Sequence, residues 1–410
     1  MKDELSLPKV WEFKRLGEVC EVITKGTTPT SLGFKFTDEG VNFIKIESLT
    51  ESGQIIPNKV AYISEECHES LKRSQLREND ILFSIAGALG RIGIVNKAII
   101  PANTNQALAI IRLEKNSGIL VSFLAKYFTS NIISEEIEKL KGGAAQQNLS
   151  LGQLNILPIP IPPLPEQQRI VSILDECFAA IDKAKANTEQ NLKNAKELFE
   201  SYLQGVFEKK GDGWEERTLG DVCTLYQGIA INTKTKHALV EKSDLPLLRI
   251  KDLKNNTVEQ FIDPNNFPKN ALVNEEDIIY TRTGSLGLVF RGRKGVLHNN
   301  SFKVVPNKQL DKDYLFIWLQ NPTFKSKIME LALKAAQPDI THAIFKIQKI
   351  TIPPLKEQQT IVRQLDALRE ETQKLEAVYQ KKIADLEELK KSVLQKAFSG
   401  ELKTEKAVAL

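Results

Sequence analysis

The chain has 410 residues, 41% of them hydrophobic and 26% charged, with a net charge of +4 at neutral pH. That length exceeds one ordinary core and calls for two or more domains, and the composition excludes a disordered or collagen-like chain. No apolar run approaches the ~20 residues of a membrane span, and four cysteines at 20, 67, 177 and 223, without a CxxC pair, exclude a disulfide framework or a cysteine zinc site. The opening Met1-Lys2-Asp3-Glu4 has no signal-peptide core, so a reducing cytoplasm is the expected compartment. The weakly basic balance permits a nucleic-acid partner but does not by itself point to one.

In chain order, the first half opens with Trp11-Glu12-Phe13-Lys14-Arg15-Leu16-Gly17-Glu18-Val19-Cys20. Short β-branched and apolar runs follow at Val41 to Ile46, Asp80 to Ile85, Ile92 to Val95 and Leu108 to Ile111, separated by turn residues. They read as strands of a curved mixed or antiparallel sheet, and the stretch 120–140 reads as helix. The second half repeats the plan. Trp214 to Cys223 echoes the opening at an offset of 203, and Asp277-Ile278-Ile279-Tyr280-Thr281 echoes Asp80 to Ser84 at 197. Ala335-Ala336-Gln337 echoes Ala144-Ala145-Gln146 at 191. Strands are expected at Leu247 to Ile250 and Phe302 to Val305, and helix at 312–334. A repeat of this size is two domain copies, not a solenoid.

Each half ends in the same signal, Ile161-Pro162-Pro163-Leu164-Pro165-Glu166-Gln167-Gln168 and Ile352-Pro353-Pro354-Leu355-Lys356-Glu357-Gln358-Gln359, now at a constant offset of 191. Prolines favour an extended approach, and the glutamate favours the positive end of a helix dipole. The apolar spacing beyond is 4-3-4-3. It runs through Leu174, Phe178, Ile181, Leu192, Phe199 and Tyr202 in one copy, and through Ile361, Leu365, Leu368, Leu375, Tyr379, Leu386, Leu389 and Val393 in the other. Such a seam predicts a coiled coil, each helix about 65 Å long at 1.5 Å per residue. Each stripe is the other's most economical partner. Lys185, Thr188, Thr372 and Lys382 interrupt the seam with polar residues, read either as imperfect packing or as register-fixing positions.

Catalytic signatures are missing. There is no GxxxxGK[ST] phosphate loop, no GxGxxG after a strand, no HExxH and no GxSxG, and His68, His237, His298 and His342 lack metal-ligand spacing. Asn321-Pro322-Thr323-Phe324 is similar to the Asn-Pro-Pro-Phe/Tyr tetrapeptide of amino-methyltransferases but lacks its second proline, and reads better as a helix-start turn. Pro338-Asp339 opens like a PD-(D/E)xK nuclease motif, but no ExK follows. Recognition remains. Candidate donors for phosphates and base edges are Lys25, Thr27, Thr28, Lys45, Arg91, Asn105, Gln106, Gln146 and Gln147 in the first half. In the second half they are Gln227, Lys234, Arg249, Lys251, Arg282, Thr283, Ser285, Arg293, His298 and Asn299. Arginine suits guanine and asparagine or glutamine suits adenine, while lysine positions the backbone. The stretches 25–28 and 281–284 sit beside glycines, where a backbone could approach nucleic acid closely.

The duplicated Pro-Pro-Leu-x-Glu-Gln-Gln helix starts, the Trp-x-x-x-x-Leu-Gly-x-Val openings at 11–19 and 214–222, and the ending Ala397-Phe398-Ser399-Gly400-Glu401-Leu402 resemble the specificity subunit of Type I restriction–modification systems over essentially the whole chain. The resemblance implies an α+β protein with pseudo-two-fold symmetry, in which two tandem globular target-recognition domains are separated by two long antiparallel coiled-coil helices. The implied division is target-recognition domains at 1–157 and 211–348, helical spacers at 158–210 and 349–402, and a tail at 403–410. It also implies a non-catalytic subunit whose domains each read half of an asymmetric bipartite sequence in double-stranded DNA. The helices would set the unread gap and dock two methyltransferase subunits, with restriction subunits joining. S-adenosylmethionine, ATP and Mg2+ would be used by those partners, none being bound by this chain. The readings set against it are a protein-binding scaffold and a divergent methyltransferase using Asn321 to Phe324.

Overall fold

The structure, a computed structural model, describes residues 11–50, 53–141, 148–208, 211–334 and 337–402. It divides into two compact units, one formed by residues 1–188 with 381–410 and the other by 189–380. Where the sequence set each helical spacer apart from its domains, packing assigns part of each long helix to each unit.

In the first unit, Glu12–Arg15 pairs antiparallel with Pro158–Ile161, the strand leading into the first long helix. A four-stranded antiparallel sheet is ordered Cys20–Lys25, Leu108–Leu113, Ile81–Ser84, Ile92–Ile94. A separate three-stranded sheet is ordered Ala61–Ile63, Val41–Ile44, Ala102–Thr104, its last pair parallel. So two sheets stand where one curved sheet was expected. The second unit repeats the two-stranded pairing and the four-stranded order, with Glu215–Thr218 on Lys349–Ile352, but centres its smaller sheet on a different strand. Its four-stranded sheet is Cys223–Gln227, Ser301–Pro306, Ile278–Thr281, Val289–Phe290. Its three-stranded sheet is Leu247–Leu248, Gly295–Leu297, Leu272–Val273, with the first pair parallel. A bulge between Cys20 and Val22 supplies one of the residues by which the repeat offset drifts.

The expected strand from Leu247 stops at Leu248, because the Asp252 carboxylate accepts from the Arg249 backbone N–H at 3.2 Å and starts the helix Ile250–Asn255. The helix expected at 120–140 is two, Val121–Phe128 and Asn131–Lys141. That at 312–334 is also two, Lys312–Trp318 and Pro322–Ala332. Asn321 caps the second of these by accepting from the Thr323 N–H at 2.8 Å, so the Asn-Pro-Thr-Phe stretch is a helix start. Asp80 is buried and accepts from Arg112 Nε and Nη2 at 2.7 Å each, whereas its equivalent Asp277 faces Lys303 at 3.8 Å. All four cysteines are free, and burial pushes the equivalent Cys20 and Cys223 thiols up to about 12.

The long helices are Leu164–Glu208 and Leu355–Phe398. They run antiparallel in the first unit, where Asp182 meets Lys390 at 2.9 Å and Lys185 meets Glu387 at 2.7 Å. The second unit shows the same sense, with Arg369 beside Phe199 and Leu365 in one cluster with Leu203. Each unit takes the start of one helix and the end of the other into its core. In the first unit Ile170 and Leu174 join Leu394, Ala397 and Phe398, whose ring packs on Phe123 and Tyr127 at 5.4 and 5.2 Å. In the second, Ile361 and Leu365 join Leu203 and Phe207, the latter 5.5 Å from Tyr314. Phe207 and Phe398 are equivalent residues, but their tyrosine partners are not: Tyr314 corresponds to Phe123 and Tyr127 to Trp318, and the two tyrosines donate to the Thr351 and Pro158 carbonyls at 2.9 and 3.0 Å.

Three seam residues need correction. Tyr202, Leu375 and Leu389 are 43%, 42% and 47% exposed, while Leu203 and Leu394 are 2% and 6% exposed. A strict 3.5-residue repeat drifts by about 20° per heptad against a 3.6-residue helix. Over five heptads the contact line therefore moves by one position, from 202 to 203 and from 393 to 394. Lys382 is also exposed. Thr188 and Thr372 are buried but donate to the Ala184 and Leu368 carbonyls of their own helices at 2.7 and 2.8 Å, so neither hydroxyl is left without a partner.

The repeated helix-start motif owes its glutamine to an amide clamp. Gln167 is fully buried; its Nε2 donates to the Gly118 and Pro162 carbonyls and its Oε1 accepts from the Leu120 N–H, all at 2.8 Å. Gln358 does the same with the Gln309 and Pro353 carbonyls at 3.0 and 2.8 Å and the Asp311 N–H at 2.7 Å. Each clamp ties a helix start to the loop entering the domain's own helical layer. Gln167→Leu strands three backbone groups at about 1–3 kcal/mol each, so it is expected to lower stability by several kcal/mol. Gln358→Leu should do likewise. Urea unfolding checks this; an unchanged midpoint would contradict the clamp.

Candidate nucleic-acid interface

In the first unit the candidate residues lie on loops where the two sheets meet. After Lys25 the chain crosses from the four-stranded sheet to the three-stranded one, Gly26 N–H bonding the Leu108 carbonyl at 3.4 Å and Thr27 N–H the Thr104 carbonyl at 3.1 Å. A Cβ on Gly26 would stand 1.9 Å from the Thr104 carbonyl oxygen. The glycine is therefore demanded by the protein's own backbone, not by an approaching nucleic acid, as the sequence had suggested. Thr28 donates to the Gln106 side chain, and Arg73 donates to Thr27 at 3.4 Å. Thr104 bonds the Ile44 carbonyl at 2.9 Å, which sets Lys45 beside this cluster, its ammonium 4.2 Å from the Phe36 ring centroid. Asn105 turns inward to accept from the Ala107 N–H at 3.1 Å. Arg91 closes the turn Ala86 to Gly90, in which Gly87 and Gly90 take positive φ of 71° and 78°. Gln146 and Gln147 lie outside the described residues.

The second unit builds the same junction with different side chains. Gly228 crosses between sheets, and a Cβ there would meet the His298 carbonyl oxygen at 2.3 Å. Gln227 donates to the Asn299 carbonyl at 2.7 Å and accepts from Arg282, whose Nε donates to Asp339 at 2.8 Å. The Pro-Asp pair is thus the anchor of an arginine rather than a nuclease ligand. Arg249 forks onto Asp252 at 2.7 and 3.1 Å and reaches Glu259 at 3.0 Å, which also holds Lys251. Arg293 donates to Asn256 and to the Asp252 and Thr257 carbonyls, and Lys254 donates to Ser285 at 2.7 Å. Gly284, at φ 76°, makes the turn that carries Thr283 and Ser285. Burial holds the His298 imidazole below its usual value, with Arg249 adding to the effect against a bond from Asn300.

Of the candidate donors, Gln227, Arg249, Lys251, Arg282, Arg293 and Ser285 are engaged within their own unit. Each has an intradomain partner and braces a loop, so reading a base would require exchanging that partner. Lys25 and Lys234 are exposed, Gln106 is exposed while accepting from Thr28, and Thr283 and Asn299 are half-exposed. Arg73, Lys254 and Asp339 were missed from the sequence. They contact loops 31 to 57 residues away along the chain, and no local pattern signals that. Among the described residues, no group of three or more His, Cys, Asp or Glu side chains could hold a metal ion, and no helix is long and apolar enough to cross a membrane.

A chain that presents the same loop junction on two like domains, each fused to one start and one end of a paired helix, is built for two-part recognition. It belongs to the Type I restriction modification DNA specificity domain family, whose model matches residues 8–194 and again 211–385. The specificity subunit of the Type I restriction enzyme EcoKI from Escherichia coli K12 is 25% identical over 97% of this chain and 90% of its own length. That of MjaIX from Methanocaldococcus jannaschii is 23% identical over 97% of this chain and 95% of its own. Among solved structures, the HsdS subunit from Thermoanaerobacter tengcongensis matches at TM-score 0.64 and 20% identity, over 98% of this chain and 100% of that one. A chain from a structure describing complex assembly and conformational transition of the type I R-M system matches at 0.81 and 21%, over 97% and 100%. Both share the fold.

In the Arg249 network, burial raises the Asp252 carboxyl but the hydrogen bonds from Arg249 and Thr257 outweigh it and hold it below its ordinary 3.8. A depressed carboxylate stabilises fully above its unfolded value and loses that contribution as pH falls through its folded value. Asp252→Asn is therefore expected to cost about 3 kcal/mol at pH 7. The difference from wild type should narrow below about pH 4. Urea unfolding from pH 7 to pH 3 checks it; a difference independent of pH would contradict the ionic account.

Proposed function

We propose that this chain is the DNA-specificity subunit of a Type I restriction–modification complex. Each unit reads one half of an asymmetric bipartite target in double-stranded DNA, through the loop junction around Lys25 to Thr28 in one and Gln227 to Ile229 in the other. The observation that carries the reading is the junction itself: one backbone geometry, built twice around Gly26 and Gly228, with different side chains on it. Equal frames with unequal side chains suit two half-sites of unequal sequence.

The helix pair sets the unread gap and docks methyltransferase subunits, two of them, and restriction subunits complete the assembly in the cytoplasm. The methyl donor S-adenosylmethionine, ATP and Mg2+ belong to those partners, which carry out the chemistry. Within this chain the exposed lysines position the duplex, and the braced arginine loops give the reading surface its shape.

Adenine-methylation mapping of DNA from cells expressing the chain with a neighbouring methyltransferase tests this. The expected result is a two-part methylated motif with a fixed gap, lost when the chain is removed. Methylation that does not depend on the chain would contradict the proposal. The scaffold reading is separated by salt: phosphate contacts release counterions, so DNA affinity should fall steeply between 50 and 200 mM salt, by about 10³-fold or more for six phosphate contacts. Methyl transfer by the purified chain alone would support the methyltransferase reading instead.

A further inference from the structure

The two long helices carry complements at positions where two copies of either helix would clash. With the constant offset of 191, Phe178 corresponds to Arg369 and Phe199 to Lys390. In the first unit the Lys390 ammonium lies 4.9 Å from the Phe178 ring centroid, and in the second the Arg369 guanidinium lies 5.2 Å from that of Phe199. Both rings come from the first helix and both cations from the second.

The ionic positions divide the same way. Lys185 meets Glu387 at 2.7 Å, and the residues equivalent to these two are Glu376 and Lys196. The first helix thus carries lysine at both positions and the second carries glutamate at both. Asp182, 2.9 Å from Lys390, adds a further unlike pair.

Because the offset is constant, a pair made of two first helices would adopt the same register and set Lys185 against Lys196 twice. A pair of second helices would set Glu376 against Glu387 and Arg369 against Lys390, each twice. Cation–ring contacts and unlike charges are modest individually at exposed sites. Discrimination nevertheless comes from the difference between pairings, and here the attraction in one becomes repulsion in the other.

We propose that this division is a pairing code that directs the first long helix to the second and rejects a second copy of either. It does not depend on what the globular units bind. The covalent link between the helices also favours their pairing through effective concentration, so a test must cut that link.

A protease site placed between Asp212 and Gly213 allows the folded full chain to be nicked, unfolded in urea, refolded and weighed by native mass spectrometry. Wild type is expected to reassemble as 1:1 pairs of unlike halves, with like pairs at about one tenth or less. The double variant Lys196→Glu with Glu376→Lys keeps unlike charges between the two helices but makes 185 with 196, and 376 with 387, attractive. It should yield pairs of two first helices in quantity, while Arg369 against Lys390 still opposes pairs of two second helices. A statistical mixture from wild type, or a double variant indistinguishable from it, would overturn the code. A second measurement avoids refolding of halves: in the intact chain, Lys185→Glu should lower the urea midpoint and Lys185→Glu with Glu387→Lys should restore it. No loss, or no recovery, would contradict the proposal even if the nicked halves fail to reassociate.

Discussion

The buried glutamine at each helix start is the interaction on which the rest of the fold depends. A buried side-chain amide has to satisfy two donors and an acceptor, and Gln167 and Gln358 do so with three backbone groups apiece. Those groups belong to the proline run and to the loop ahead of the domain's helical layer. The clamp therefore fixes where the long helix begins relative to the domain it leaves. Hydrophobic burial could hold a helix against a domain, but it is non-directional and would tolerate a slip that three hydrogen bonds do not.

With its start clamped, each helix is held at its far end by the other unit's core, through Phe207 on Tyr314 and Phe398 on Tyr127. A helix anchored at both ends cannot change length on its own, without its partner helix, unless it loses one anchor. That accounts for the constant offset of 191 in the helical repeats while the domains drift from 203 to 191. The domains absorb insertions because their loops close over the surface, where added length costs little. Invariant spacer and variable loops are thus two consequences of where the packing constraints lie. The proposed recognition loops sit among the segments that are free to vary.

Much of this was legible in the sequence, because a repeat reports structure without any homologue. The helix starts, the heptad stripe and the paired domain openings all follow from periodicity and turn chemistry. The glutamine's role was not legible, since its partners lie 47 and 49 residues away in the chain. Nor was the drift of the seam from Tyr202 to Leu203, because a heptad count assumes the period that packing has to choose. The candidate interface was half legible. Composition singled out donor-rich loops, but not that Arg249 and Arg282 are held by Asp252 and Asp339, or that Gly26 and Gly228 serve the backbone crossing between sheets. The Asn-Pro-Thr-Phe stretch shows the opposite case, where local helix-cap chemistry was enough to settle it.

The central claim is that helix length, set between two anchors, measures the gap between two independently read half-sites. The most direct measurement inserts one heptad after Thr188 and one after Gln380, preserving the seam, and maps adenine methylation with the lengthened chain. The account predicts a longer unread gap with both half-site sequences unchanged. A gap of the original length, or an altered half-site, would contradict it.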